Sequence, residues 1–150
     1  MGFNAFKEII EFAIRNEEKA IHSYGSLAEI ARTPGLKKLL LELQEEEKNH
    51  KKLLQEITEE KIESLEIEEV TNLKISDYLV EEPPGSDMSF QDILILAAKK
   101  EQKAVELYSD MERKVENKEL KRLFEFLIQQ EKSHKLKLEE EYEKHVLEED

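Results

Sequence analysis

The sequence predicts an all-α fold, a four-helix bundle made of two antiparallel helical hairpins joined by a long crossover. Three observations carry this expectation. Charged and hydrophobic residues each make up 39% of the chain, the balance of long helices that face solvent on one side. Only Gly 4 and Pro 3 are present, too little punctuation for the many turns of an all-β fold. Finally, the chain repeats itself, and apolar residues recur within each repeat at the helical period.

The repeat appears when the sequence is shifted by 84 positions without a gap. Phe6 then pairs with Phe90, Ile9 with Ile93, Ala13 with Ala97, Glu17 with Glu101, Ala20 with Ala104 and Tyr24 with Tyr108. Further along, Leu36 pairs with Leu120, Leu43 with Leu127, Glu47 with Glu131, His50 with His134 and Leu54 with Leu138. A shared bias toward Glu and Lys does not produce such a match. The two halves read as duplicated hairpins.

Taken in order, the first helix starts near Asn4 as N-cap and runs to about Arg32. Thr33-Pro34-Gly35 breaks it, because proline cannot continue a helix and glycine permits the turn. A second helix is expected from about Leu36 to Glu63. Ser89 and Asp92 have the spacing of a capping box, which starts a third helix that ends near Val115. Glu116-Asn117-Lys118 is the turn into a fourth helix reaching about Leu147.

Between the halves, Ser64 to Met88 shows no sustained helical period and contains Pro83-Pro84-Gly85. These 25 residues can reach ~80 Å when extended, whereas a helix of about 28 residues is only ~42 Å long. The segment is therefore long enough to travel the length of the bundle. A single long crossover between two hairpins is ferritin-like connectivity. A chain of 150 residues suits one such domain over 1–150.

The totals also exclude functions. A net charge of −13 leaves no basic surplus for nucleic acid or for an anionic membrane surface. Cys 0 removes disulfides, thiolate metal ligands and any iron–sulfur centre within this sequence. No apolar run approaches the ~20 residues of a membrane span. Met1 to Asn16 lacks the pattern of a secretion signal, so a cytoplasmic protein is expected.

Helical projection singles out the chemistry. On the first helix Phe6, Ile10, Ala13, Ala20, Ile21, Tyr24 and Ala28 form one stripe, with Glu17 in its middle. Leu36, Leu40, Leu43 and Leu54 surround Glu47 and His50 on the second. The third repeats the arrangement around Glu101, and the fourth around Glu131 and His134. Each of four helices thus points one carboxylate into an apolar core. Burying ionised carboxylates without compensation costs several kcal/mol each. Two divalent cations carry four positive charges and neutralise all four, while the histidines add neutral nitrogen donors. The candidate metal ligands are therefore Glu17, Glu47, His50, Glu101, Glu131 and His134.

A lone Glu-x-x-His carries little weight in so glutamate-rich a chain. His22 and His145, with Lys19 and Tyr142 three residues before them, read as solvated. The repeat discriminates among neighbouring acids: Glu18 pairs with Gln102, and Glu45 and Glu46 pair with Gln129 and Gln130. Only Glu17 and Glu47 keep a carboxylate in both copies and face the stripe. Tyr24 and Tyr108 lie two turns beyond Glu17 and Glu101 on the same face, placed either to pack the core or to orient a ligand carboxylate by a hydrogen bond. The run Ile93 to Ala98 covers more than one face of its helix. Either the crossover or a second subunit, which would make a homodimer, is expected to bury its outer side.

The pattern Glu17-x6-Tyr24 with Glu47-x2-His50, and Glu101-x6-Tyr108 with Glu131-x2-His134, resembles the rubrerythrin branch of the ferritin-like superfamily over nearly the whole chain. The resemblance implies two iron ions, with manganese or zinc as alternative occupants. It implies that Glu47 and Glu131 bridge the metals while Glu17, His50, Glu101 and His134 are terminal ligands. Two features depart from the family. The cysteine-ligated rubredoxin-like domain that delivers electrons is missing from this sequence, and Ala104 stands where many members carry a further carboxylate.

The implied activity is that of a di-iron carboxylate oxidoreductase reacting with peroxide or O2 and drawing electrons from an external donor. The alternatives are a ferroxidase or iron-handling protein, and a non-enzymatic helical module that binds metal or uses the polar layer structurally. No nucleic acid or membrane partner is expected.

Overall fold

The computed structural model describes residues 2–67 and 88–147, and side chains within 6–67 and 88–145. Among the described residues five α-helices follow one another: α1 (Gly2–Ile30), α2 (Pro34–Glu56), α3 (Glu59–Glu63), α4 (Phe90–Lys114) and α5 (Lys118–Tyr142). A π-helical turn, Glu143–Leu147, continues from α5. Among the described residues there is no strand, and no helix is long and apolar enough to cross a membrane. The chain divides into two compact units, Met1–Glu63 and Ser64–Asp150.

In the first unit α1 packs along α2. Contacts pair Glu17 with His50 and Ile21 with Gln44, so residue numbers rise on one helix as they fall on the other. The hairpin is antiparallel. Its apolar stripe buries Ile10, Ala13, Tyr24, Leu27 and Ala28 of α1 and Leu36, Leu40, Leu43 and Leu54 of α2. Each fully buried leucine contributes roughly 1.5–3 kcal/mol, which is what holds a polar layer in its midst.

The connection between α1 and α2 is tighter than the sequence suggests. Thr33 is the N-cap of α2 and accepts a hydrogen bond from Leu36 N at 3.3 Å. Pro34 is the first residue of that helix, where its missing N–H costs nothing, so Pro34 and Gly35 begin α2 rather than separate it from α1. At the other end, α1 is already helical at Gly2, which places Asn4 inside the helix and not at its cap.

The second expected helix, Leu36 to Glu63, is interrupted. Ile57 adopts extended dihedrals, and the Oγ1 of Thr58 accepts from Lys61 N at 3.3 Å to restart the chain as α3. Two successive β-branched residues, one able to cap, favour this break. In the second repeat the equivalent stretch is Glu143–Leu147, where the helix widens to a π turn instead.

In the second unit α4 packs along α5. Gln91 meets Tyr142, Glu101 meets His134, Tyr108 meets Phe124, and the Glu112 carbonyl accepts from Lys121, again an antiparallel register. Ser89 and Asp92 form the expected capping box, and Asn117 caps α5 by accepting from Leu120 N at 2.9 Å. Of the run Ile93 to Ala98, Ile93, Leu94, Ile95, Ala97 and Ala98 are buried within the chain itself. The crossover expected from Ser64 to Met88 falls mostly on 68–87, which lie outside the described residues.

Candidate metal centre

Each hairpin carries one cluster of two carboxylates and one imidazole. In the first, α1 supplies Glu17, and α2 supplies Glu47 and His50 one turn apart. His50 Nδ1 lies 3.3 Å from Glu17 Oε1 and 3.1 Å from Glu47 Oε1. Both carboxylates are wholly buried, and His50 retains only 6% of its surface.

The second cluster repeats the first. From α4 comes Glu101, and from α5 come Glu131 and His134. His134 Nδ1 lies 3.0 Å from Glu101 Oε2 and 3.4 Å from Glu131 Oε1. All three residues are buried. Within each triad, every residue offers a ligand atom within 4.8 Å of those of the other two.

The chemistry of the donor set fits a divalent cation. One Nδ1 faces two carboxylates in each cluster, and a single N–H proton can be donated to only one of them at a time. A cation at that point of convergence would take the nitrogen lone pair and an oxygen from each carboxylate. The two carboxylates carry two negative charges, which one divalent ion balances. Oxygen and imidazole donors without thiolate suit iron, manganese or zinc. These buried Glu/His groups can hold metal.

The six residues named from the sequence are thus all buried, and each hairpin brings its own three together. The discrimination against neighbouring acids also agrees with burial: Glu18 and Glu45 are exposed, and Glu46 is half-buried. His22 and His145 are exposed, and His145 pairs instead with Glu141 at 3.0 Å. Tyr24 and Tyr108 are buried, the latter with its ring 5.7 Å from that of Phe124.

Sequence reasoning missed a buried ion pair beside this layer. Lys135 Nζ lies 3.7 Å from Glu139 Oε2, with both residues almost fully buried on α5. They belong to a second buried stripe of α5 that includes Ile128 and Tyr142. The one available signal was a difference between repeats. The positions equivalent to Lys135 and Glu139 are Lys51 and Gln55, and Lys51 pairs across its hairpin with Glu18 at 3.0 Å. With Gln102 in place of that glutamate, Lys135 turns along its own helix instead.

Neither a curated protein nor a solved structure matches the chain. The all-α architecture of two helical hairpins, with a buried Glu/Glu/His triad in each, is nevertheless what the ferritin-like di-iron fold requires. Residues 8–142 match the Rubrerythrin family model, a stretch that includes every candidate ligand, and the chain therefore belongs to the rubrerythrin family.

Proposed function

We propose that this protein is a di-iron carboxylate oxidoreductase that reduces peroxide or O2 with electrons from an external donor. The observation that carries the reading is the twofold occurrence of an imidazole Nδ1 set between two buried carboxylates. Membership of the rubrerythrin family supports iron as the occupant.

In this reading the two hairpins form a single domain and supply six ligands: Glu17, Glu47, His50, Glu101, Glu131 and His134. By family resemblance Glu47 and Glu131 would be shared between the two ions, and the other four would each hold one. When bound, two ferrous ions supply the two electrons that, with two protons, convert hydrogen peroxide to two water molecules, and the external donor restores them. The protein's own part is electrostatic and steric. Four carboxylates offset the charge of the ions, the histidines complete the donor set, and Tyr24 and Tyr108 orient ligand carboxylates through their hydroxyls. The surrounding leucines, Leu40, Leu43, Leu123 and Leu127, keep bulk water from the layer. No side chain serves as nucleophile.

The test is metal analysis of protein expressed with iron, then anaerobic reduction and titration with peroxide. Two irons per chain, oxidised stoichiometrically and restored by an added reductant, support the proposal. Continued turnover of added Fe(II) without reductant would establish the ferroxidase reading instead. Thermal stability indifferent to chelation, in a protein that binds no metal, would leave the structural module.

A further inference from the structure

The two hairpins differ along one flank of the cluster. In the first, a cleft of about 590 Å3 opens between α1 and α2, lined among others by Glu18, His22, Gly25, Gln44, Lys48 and Lys51. Glu18, Lys48 and Lys51 are the immediate chain neighbours of Glu17, Glu47 and His50. In the second repeat the equivalents of Ile21, Gln44 and Lys51 are Val105, Ile128 and Lys135, and all three are buried. The histidines follow suit: His50 keeps 6% of its surface, and His134 keeps none.

The cleft has a polar wall that is held by one hydrogen bond. Gln44 Nε2 donates to the backbone carbonyl of Ile21 at 2.9 Å, crossing from α2 to α1 one turn from Glu47 and one turn from Glu17. This approach needs Gly25, because a Cβ there would stand 2.8 Å from Gln44 Nε2. Glycine inside a helix costs roughly 1 kcal/mol relative to alanine, and the second repeat has Ser109 at the same place. The second repeat has neither the glycine nor the glutamine, with Ser109 and Ile128 at the two places.

We propose that the α1/α2 cleft is the solute entrance to the Glu17–Glu47–His50 cluster, and that the side chain of Gln44 is its movable wall. The lining suits a small uncharged hydrogen-bonding solute of the peroxide class. Glu18 and Lys51 neutralise one another at 3.0 Å, and Lys48 is matched by Glu29, so neither sign of charge is favoured. Ser26 and the Gln44 amide offer donors and acceptors along the way. That choice of solute rests on the peroxide reading above, whereas the entrance itself does not.

The experiment measures acylation of each histidine by diethyl pyrocarbonate in the full metal-free chain, followed by peptide mass spectrometry. Gln44→Leu puts an apolar side chain in the wall, as Ile128 does in the other repeat, and should slow modification of His50. Gly25→Ser should displace the Gln44 amide and speed modification of His50, by about fivefold, the worth of one hydrogen bond in an opening equilibrium. His134 should react at the same rate in all three proteins, which separates gating from general loosening. Equal His50 rates throughout, a shift in one direction for both variants, or a parallel change at His134 would each overturn the entrance. If His50 responds as expected but peroxide oxidises no iron, the entrance stands and the peroxide reading falls. If peroxide oxidises the iron and His50 does not respond, the entrance alone falls.

Discussion

Glu17 and His50 stand 33 positions apart, yet they meet at 3.3 Å across the α1/α2 hairpin. Their equivalents Glu101 and His134 meet at 3.0 Å across α4/α5. An interhelical contact reproduced in both copies of a duplicated hairpin, at the same register, is the mark of a constraint on side-chain position. Packing alone would be met as well by leucine.

The first prediction follows from the proposed bridging role. Glu47→Ala or Glu131→Ala should lower iron from two per chain toward none, while Glu17→Ala should leave about one in place, since a terminal ligand serves one ion. Elemental analysis after identical reconstitution reads this directly. Equal retention in the three variants would contradict the assignment of Glu47 and Glu131 as bridges.

Metal should also be a stability ligand. Four buried carboxylates stabilise the fold only when their charge is offset, so a divalent ion that binds the native state raises Tm with its concentration. At a free concentration one hundred times its Kd, each site adds about 2.7 kcal/mol. Calorimetry with and without a chelator checks this. An unchanged Tm would remove the metal from the account of stability.

The buried pair on α5 gives a prediction independent of metal. Lys135→Met removes that cation from the buried Glu139 carboxylate and should destabilise the protein, by at most roughly 3–5 kcal/mol. Lys135→Met with Glu139→Leu should recover most of the loss, because the desolvation cost goes with the charges. Urea unfolding of the two single variants and the double variant completes the cycle. Additive single effects would show that Lys135 and Glu139 are not energetically coupled.

A pH effect is expected near the turn between α4 and α5. Burial first, and then the neighbouring carboxyl of Glu125, hold the Glu112 carboxyl above its ordinary value of 4.5. A folded-state pKa above the unfolded one means stability that is full below 4.5 and is lost as pH rises through the raised value. Glu112→Gln should therefore stabilise the protein near neutral pH and give little below 4.5. The gain should stay under about 1 kcal/mol, because the pair is largely solvated. Unfolding midpoints at both pH values decide it.

Much of this protein was legible before any coordinates. The capping box at Ser89 and Asp92, the Asn117 turn and the apolar stripes are local features, set by the chain's own period and by side chains that compete for helix-end N–H groups. The choice of Glu17 over Glu18, and of Glu47 over Glu45 and Glu46, came from comparing two copies of one hairpin. Duplication acts there as a control that a single helix cannot supply.

Tertiary structure decided the rest. The break at Ile57 and Thr58 and the use of Pro34 as a first helical residue depend on small differences in capping that periodicity does not register. The burial of Lys135 and Glu139, and of Val105 and Ile128 at positions that line or flank an open cleft in the first hairpin, depends on what covers each face. By itself the sequence determined which residues share a face and which of them carry charge, because a helix has a fixed period. Only the packed hairpins decided which of those faces is dry, because burial belongs to the neighbours of a helix and not to the helix alone.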